Sequence, residues 1–73
     1  MRTDQAIQED VEQELQWDPD LDAINIAVSV KDGVVTLAGM VNDNSDRIAA
    51  ENVASSVDGV VRVNNNLQIK NRY

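Results

Sequence analysis

INIAVSVKDGVVTLAGMV, residues 24–41, carries two alternating segments joined by a Lys31-Asp32-Gly33 turn, and this alternation decides the fold. In the first segment Ile24, Ile26, Val28 and Val30 fall on one face and Asn25, Ala27 and Ser29 on the other, the period-two pattern of a half-buried strand. In the second, Val35, Leu37 and Val41 continue the buried face, while Val34, Thr36, Ala38 and Met40 look the other way. Asp32-Gly33 marks a tight hairpin, because glycine takes the positive φ that such a turn needs without a Cβ clash.

Upstream, Ile7, Val11 and Leu15 recur among Glu, Asp and Gln residues, which predicts an amphipathic helix over 4–16, capped by Thr3 or Asp4. Pro19 disfavours helical geometry at Asp18 and stops the helix there. Trp17 is expected to pack as a lid at the edge of the core. Downstream, Asn42-Asp43-Asn44-Ser45-Asp46 supplies caps for a second helix over 45–57. Its Ala50, Val53, Ala54 and Val57, with Ile48 nearby, make a small-residue face able to lie close to a sheet. Asp58-Gly59 ends it, with Gly59 in the left-handed position past the C-terminus.

A third strand follows, with Val61, Val63, Leu67 and Ile69 in one phase and Arg62, Asn64, Asn66, Gln68 and Lys70 in the other. Asn65 falls on the buried phase, which demands either a bulge or a local partner for its amide. Asp-Gly-Val-Val occurs at 32–35 and again at 58–61. The first copy closes a hairpin and the second leads from a helix into a strand, so the flanking units do not match and no internal repeat is read.

The order α-β-β-α-β implies an α+β fold: a two-layer sandwich with a three-stranded mixed sheet and two helices on one face. The opposite sheet face stays open. Gly39, inside the second strand, implies a bulge or the close approach of a helix, and a β-branched replacement there is expected to be costly.

Seventy-three residues are expected to form a single domain, 1–73 with a core over about 4–69, near the lower size limit for a fold without disulfides or a metal. Cysteine and histidine are both absent, which excludes disulfides and zinc or iron–sulfur sites built on thiolates or imidazoles; no cofactor is expected. Thirteen acidic residues against six basic ones give a net charge of −7, which opposes nucleic-acid binding and simple adsorption to anionic lipid. The acid crowds the N-terminal third, whereas Arg62, Lys70 and Arg72 have no acidic neighbours. Apolar runs fall far short of the ~20 residues that cross a bilayer, and no basic-then-apolar leader opens the chain. Read as complete, the chain is expected to be soluble and cytoplasmic; read as a module of an exported protein, it belongs to the periplasm.

Chemical sites are few. Asp18, Asp20 and Asp22 alternate like the start of a calcium loop, but Ala23 stands where the loop needs glycine and Ser29 where it needs a bidentate glutamate. Ser29, Ser45, Ser55 and Ser56 have no histidine to activate them, and a Ser29–Lys31 pairing reads more simply as two exposed side chains. Paired carboxylates need an enclosed site that raises one pKa, and a domain of this size has no room for such a cleft. No enzyme is expected. Binding then falls to the open sheet face, where Ala27, Val34, Ala38 and Met40 beside Arg62, Gln68 and Lys70 form a mildly apolar patch with a basic margin. Val34, Ala38, Met40, Arg62 and Lys70 are the candidate contact residues.

The α-β-β-α-β order, the run from Gly33 through Val34-Val35-Thr36-Leu37-Ala38 to Gly39-Met40-Val41, the alanine-bearing helix, and Gly59-Val60 leading to Val63, Asn65 and Leu67 together resemble a BON domain. The resemblance spans about 4–69. Leu15-Gln16-Trp17-Asp18-Pro19 is similar to the version found in soluble bacterial proteins that carry BON domains in tandem. The family is named for osmotically inducible periplasmic proteins and nodulation proteins, and includes transport-associated, channel-associated and secretion-related members. Its structural glycines map to Gly33, Gly39 and Gly59, and it has no catalytic residue to carry over. The resemblance implies a non-catalytic module that contacts a phospholipid surface or an envelope protein in envelope or osmotic-stress maintenance, with further BON domains in tandem as partners. The alternative is a protein-interaction or tandem scaffold module with no lipid affinity. The net charge of −7 favours the alternative, and the resemblance favours the membrane.

Overall fold

The computed structural model describes residues 2–19, 21 and 25–70. Helix α1 (Asp4–Trp17) leads into strands β1 (Ile26–Lys31) and β2 (Val34–Val41), then helix α2 (Asn44–Ser55) and strand β3 (Arg62–Ile69). The sheet order is β1-β2-β3, with β1 antiparallel to β2 and β3 parallel to it, so the sheet is mixed as the sequence predicts.

Thr3 is the N-cap of α1, its Oγ1 accepting from Ala6 N at 3.1 Å. Asp4, the other candidate cap, is the first helical residue and uses its carboxylate elsewhere: it accepts from Asp32 N at 2.9 Å and Gly33 N at 3.1 Å. The helix runs one residue past its predicted end and stops at Asp18, which is extended because Pro19 follows. Trp17 corrects the expectation of a lid: it is 82% exposed.

Asp43 caps α2. Its Oδ1 accepts from Asp46 N at 3.0 Å and from Ser45 Oγ at 3.0 Å. These bonds, the Asp46 N–H first and the Ser45 hydroxyl next, hold the Asp43 carboxyl below the usual carboxylate range. The helix starts at Asn44 and ends at Ser55, two residues earlier than predicted, with Ser56 as C-cap. Gly59 does adopt a positive φ of 94°, but in the connection to β3 rather than directly at the helix end.

Both helices lie on one face, α1 against β1 and α2 against β3. Ile7, Val11 and Leu15 of α1 and Ala50 and Ala54 of α2 are buried with Val35, Leu37, Val41 and Leu67 of the sheet, joined by Leu21 and Val57. Alanine at 50 and 54, both fully buried, lets α2 approach closely. Burying each Leu, Ile or Val side chain is worth about 1.5–3 kcal/mol, which makes this layer the main source of stability. Ile24 lies outside the described residues.

The hairpin has both central residues at positive φ, Asp32 at 53° and Gly33 at 78°, as a type I′ turn requires. One expectation for Gly39 is corrected. The β1–β2 ladder runs without a gap to Ile26↔Gly39, its last rung, and the close neighbour is not a helix. It is the backbone of Asn25: a Cβ at Gly39 would stand 1.9 Å from the Asn25 carbonyl oxygen, which accepts from Met40 N at 3.2 Å.

Two positions assigned to the buried phase of the third strand turn out differently. Val61 precedes β3 and is 78% exposed, with its N–H donating to Gly33 O at 2.9 Å; Ile69, at the far end, is 44% exposed. Asn65 needs no bulge, since the β2–β3 register is continuous across it. Its amide donates to Arg47 O at 2.9 Å and Glu51 Oε1 at 3.2 Å, and its Oδ1 accepts from Leu67 N at 3.1 Å. One polar side chain thereby ties α2 to β3.

Candidate functional site

The helices cover the face that carries Val35, Leu37 and Leu67, which leaves the other face of the sheet to solvent. Strand register sets that open face out in cross-strand rows. Lys31, Val34 and Arg62 form the row nearest the hairpin; Ser29, Thr36 and Asn64 form the next; Ala27, Ala38 and Asn66 the third; Met40 and Gln68 the last. Side chains alternate across a strand, so each row points away from the helices.

The candidate contact residues share this face but do not form one cluster. Val34 is half-buried between the Lys31 and Arg62 columns, whereas Ala38 and Met40 are exposed two and three rows away. Met40 is the largest apolar side chain on the face, at 40% exposure. Arg62 opens β3 and Lys70 follows its last residue, the Lys70 N–H donating to Val41 O at 2.7 Å. At a rise of about 3.3 Å per residue the two stand roughly 26 Å apart along the strand. The basic groups therefore mark the two ends of the face rather than one margin.

Lys31 completes the row of Val34 and Arg62, and the sequence reading left it out of the contact set. Its signal was present: it continues the phase of Ala27 and Ser29. No aspartate or glutamate lies within any of the three strands, although the chain holds thirteen. Asp32 in the turn and Asp43 beyond β2 stand at the ends of the sheet, and other described acidic residues lie on the helices or in the connections.

Elsewhere, a groove of about 460 Å³ opens where the start of α1, the hairpin turn and the α2–β3 connection meet, lined by Ile7, Gly33, Gly59 and Val61 with Arg2, Asp4 and Asp32. Two of its charged groups, Asp4 and Arg2, are engaged within the fold. Asp4 holds the turn, and Arg2 donates to Asp58 O at 3.1 Å and pairs with Asp10. Gly33, Gly39 and Gly59 all have positive φ and serve backbone geometry. Of the acidic alternation, Asp20 and Asp22 lie outside the described residues; among the described residues no three His, Cys, Asp or Glu side chains are grouped to hold a metal ion. No described helix is long and apolar enough to cross a membrane.

A family model described as BON domain matches residues 3–71. The chain belongs to the BON domain family. No curated protein matches it. A BON domain of this architecture is consistent with a non-catalytic binding module, and the open face is the surface that its helices leave available.

Proposed function

We propose that this BON domain is a non-catalytic module that associates peripherally with anionic phospholipid surfaces through its open sheet face, in envelope or osmotic-stress maintenance. The observation that carries the reading is the segregation of charge: Lys31 and Arg62 stand on a face whose strands contain no acidic residue, in a chain of net charge −7. A helix is about 10 Å across, so carboxylates on the far side of the helix layer sit at least about one Debye length, ~10 Å at 0.1 M salt, from a surface touching the sheet. Each basic residue near an anionic surface contributes about 1 kcal/mol. Lys31, Arg62 and Lys70 together support weak, reversible binding, with Met40 adding a modest apolar contact.

Cosedimentation with anionic and zwitterionic vesicles tests this. Binding should require anionic lipid and fall with salt. Lys31→Glu with Arg62→Glu should abolish it, and Met40→Glu should weaken it, each with an unchanged far-UV CD spectrum and Tm. Equal binding by the charge-reversed protein discards the face.

A second reading, docking to a protein or a neighbouring BON domain, draws support from the column of Asn64, Asn66 and Gln68, which offers neutral hydrogen-bonding groups along β3. That partner should bind with little dependence on lipid charge.

A further inference from the structure

Asp-Gly-Val-Val at 32–35 and at 58–61 gives the chain two aspartyl–glycyl bonds with the same following residues and opposite surroundings. At the first, the Gly33 N–H donates to the Asp4 carboxylate at 3.1 Å, and the bond lies in a hairpin turn clamped by the Lys31↔Val34 pair. Gly33 is buried. At the second, Asp58 and Gly59 are both exposed in the connection between α2 and β3. There the Asp58 carbonyl oxygen accepts from Arg2 Nη1 at 3.1 Å, and among the described residues nothing accepts from the Gly59 N–H.

We propose that Asp58–Gly59 is a site of spontaneous isoaspartate formation in the folded protein, and that Asp4 protects Asp32–Gly33 from the same reaction. The nucleophile is the glycine amide nitrogen after loss of its proton, and the negative charge so formed spreads onto the carbonyl oxygen of the same peptide unit. A guanidinium on that oxygen stabilises the anion, as Arg2 does at Asp58. A carboxylate facing the N–H opposes it, as Asp4 does at Gly33.

The Gly59 nitrogen attacks Cγ of the protonated Asp58 carboxyl; the N–Cγ bond forms, the Cγ–OH bond breaks, and one water leaves to give a cyclic succinimide. Water then adds at the main-chain carbonyl carbon, whose bond to the Gly59 nitrogen breaks, so the chain continues through Cγ. One water is lost and one regained, with no change in mass and no electron transferred. The inserted methylene displaces Gly59, where a Cβ would already stand 3.0 Å from Ile7 Cδ1.

The test is to age the protein in neutral buffer, native and in urea, and locate isoaspartate by proteolysis with electron-transfer fragmentation. In the native protein, isoaspartate should accumulate several-fold faster at 58 than at 32, and the two rates should converge in urea. Arg2→Gln should slow the reaction at 58, and Asp4→Asn should speed it at 32 in a protein that CD shows to be folded. Equal native rates, a faster rate at 32, or a preference for 58 that persists in urea overturns the proposal. The wild-type native and urea comparison decides the matter even where Asp4→Asn fails to fold.

Discussion

The carboxylate of Asp4 accepts the Gly33 N–H at 3.1 Å, so the first turn of α1 is fastened to the tip of the β1–β2 hairpin. The same carboxylate takes the Asp32 N–H at 2.9 Å. A carboxylate held by two backbone donors is a charge-assisted contact worth about 1.5–3 kcal/mol when shielded; half-exposure of Asp4 reduces it. Asp4→Ala should therefore cost about 1–2 kcal/mol, read as a lower urea midpoint at unchanged slope. An unchanged midpoint would show that the helix and hairpin are held by the core alone.

Gly39 should be the least replaceable glycine. Its φ of 128° is one that L side chains rarely adopt, and a Cβ there would overlap the Asn25 carbonyl oxygen at 1.9 Å. Backbone strain alone costs about 1–3 kcal/mol, and here the obstacle is main chain, which cannot swing aside. Gly39→Ala should leave little folded protein, whereas Gly59→Ala, which meets the flexible end of Ile7, should remain folded with a lowered Tm. Similar melting temperatures for the two variants would contradict the close approach of Asn25.

Trp17 should report almost nothing on folding. With 82% of its surface exposed, its emission in the folded protein should already resemble that of the unfolded chain. Trp17→Ala should change stability by less than about 0.5 kcal/mol. A large blue shift on folding, or a clear loss of stability in the variant, would restore the lid.

Acid should loosen α2 through its cap. The Asp43 carboxyl sits below its ordinary range in the folded protein, held mainly by the Asp46 N–H. A group with a depressed folded pKa contributes its stability above the unfolded pKa and loses it as pH falls through the folded one. Asp43→Asn keeps an acceptor for the Asp46 N–H without a titrating charge. The wild type should thus lose stability relative to Asp43→Asn as pH drops into the lower carboxylate range, measured by urea unfolding at several pH values. Parallel curves would remove the cap as the cause.

The element order was legible because each segment satisfies one period: Ile7, Val11 and Leu15 follow the helix, Val35 and Leu37 the strand, and Thr3, Asp43 and Pro19 mark ends by local chemistry. Trp17 was misread although its position held the answer. Two residues beyond Leu15 is about 200° around a helix of 3.6 residues per turn, away from the buried stripe. Gly39 and Asn65 were visible as anomalies, but their partners were not. Asn25 reaches Gly39 only through the hairpin register, and Arg47 and Glu51 reach Asn65 only once α2 lies on β3. The open face was readable strand by strand, whereas the row of Lys31, Val34 and Arg62 depends on long-range pairing of β3 with β2.

The most direct test of the open face as the binding surface is an NMR titration of the labelled domain with anionic and zwitterionic lipid particles at low and moderate salt. The expected result is salt-sensitive shifts with anionic lipid alone, confined to Lys31, Val34, Ala38, Met40, Arg62, Lys70 and their row neighbours. Unchanged spectra at high lipid concentration, or shifts centred on α1 and α2, would contradict it.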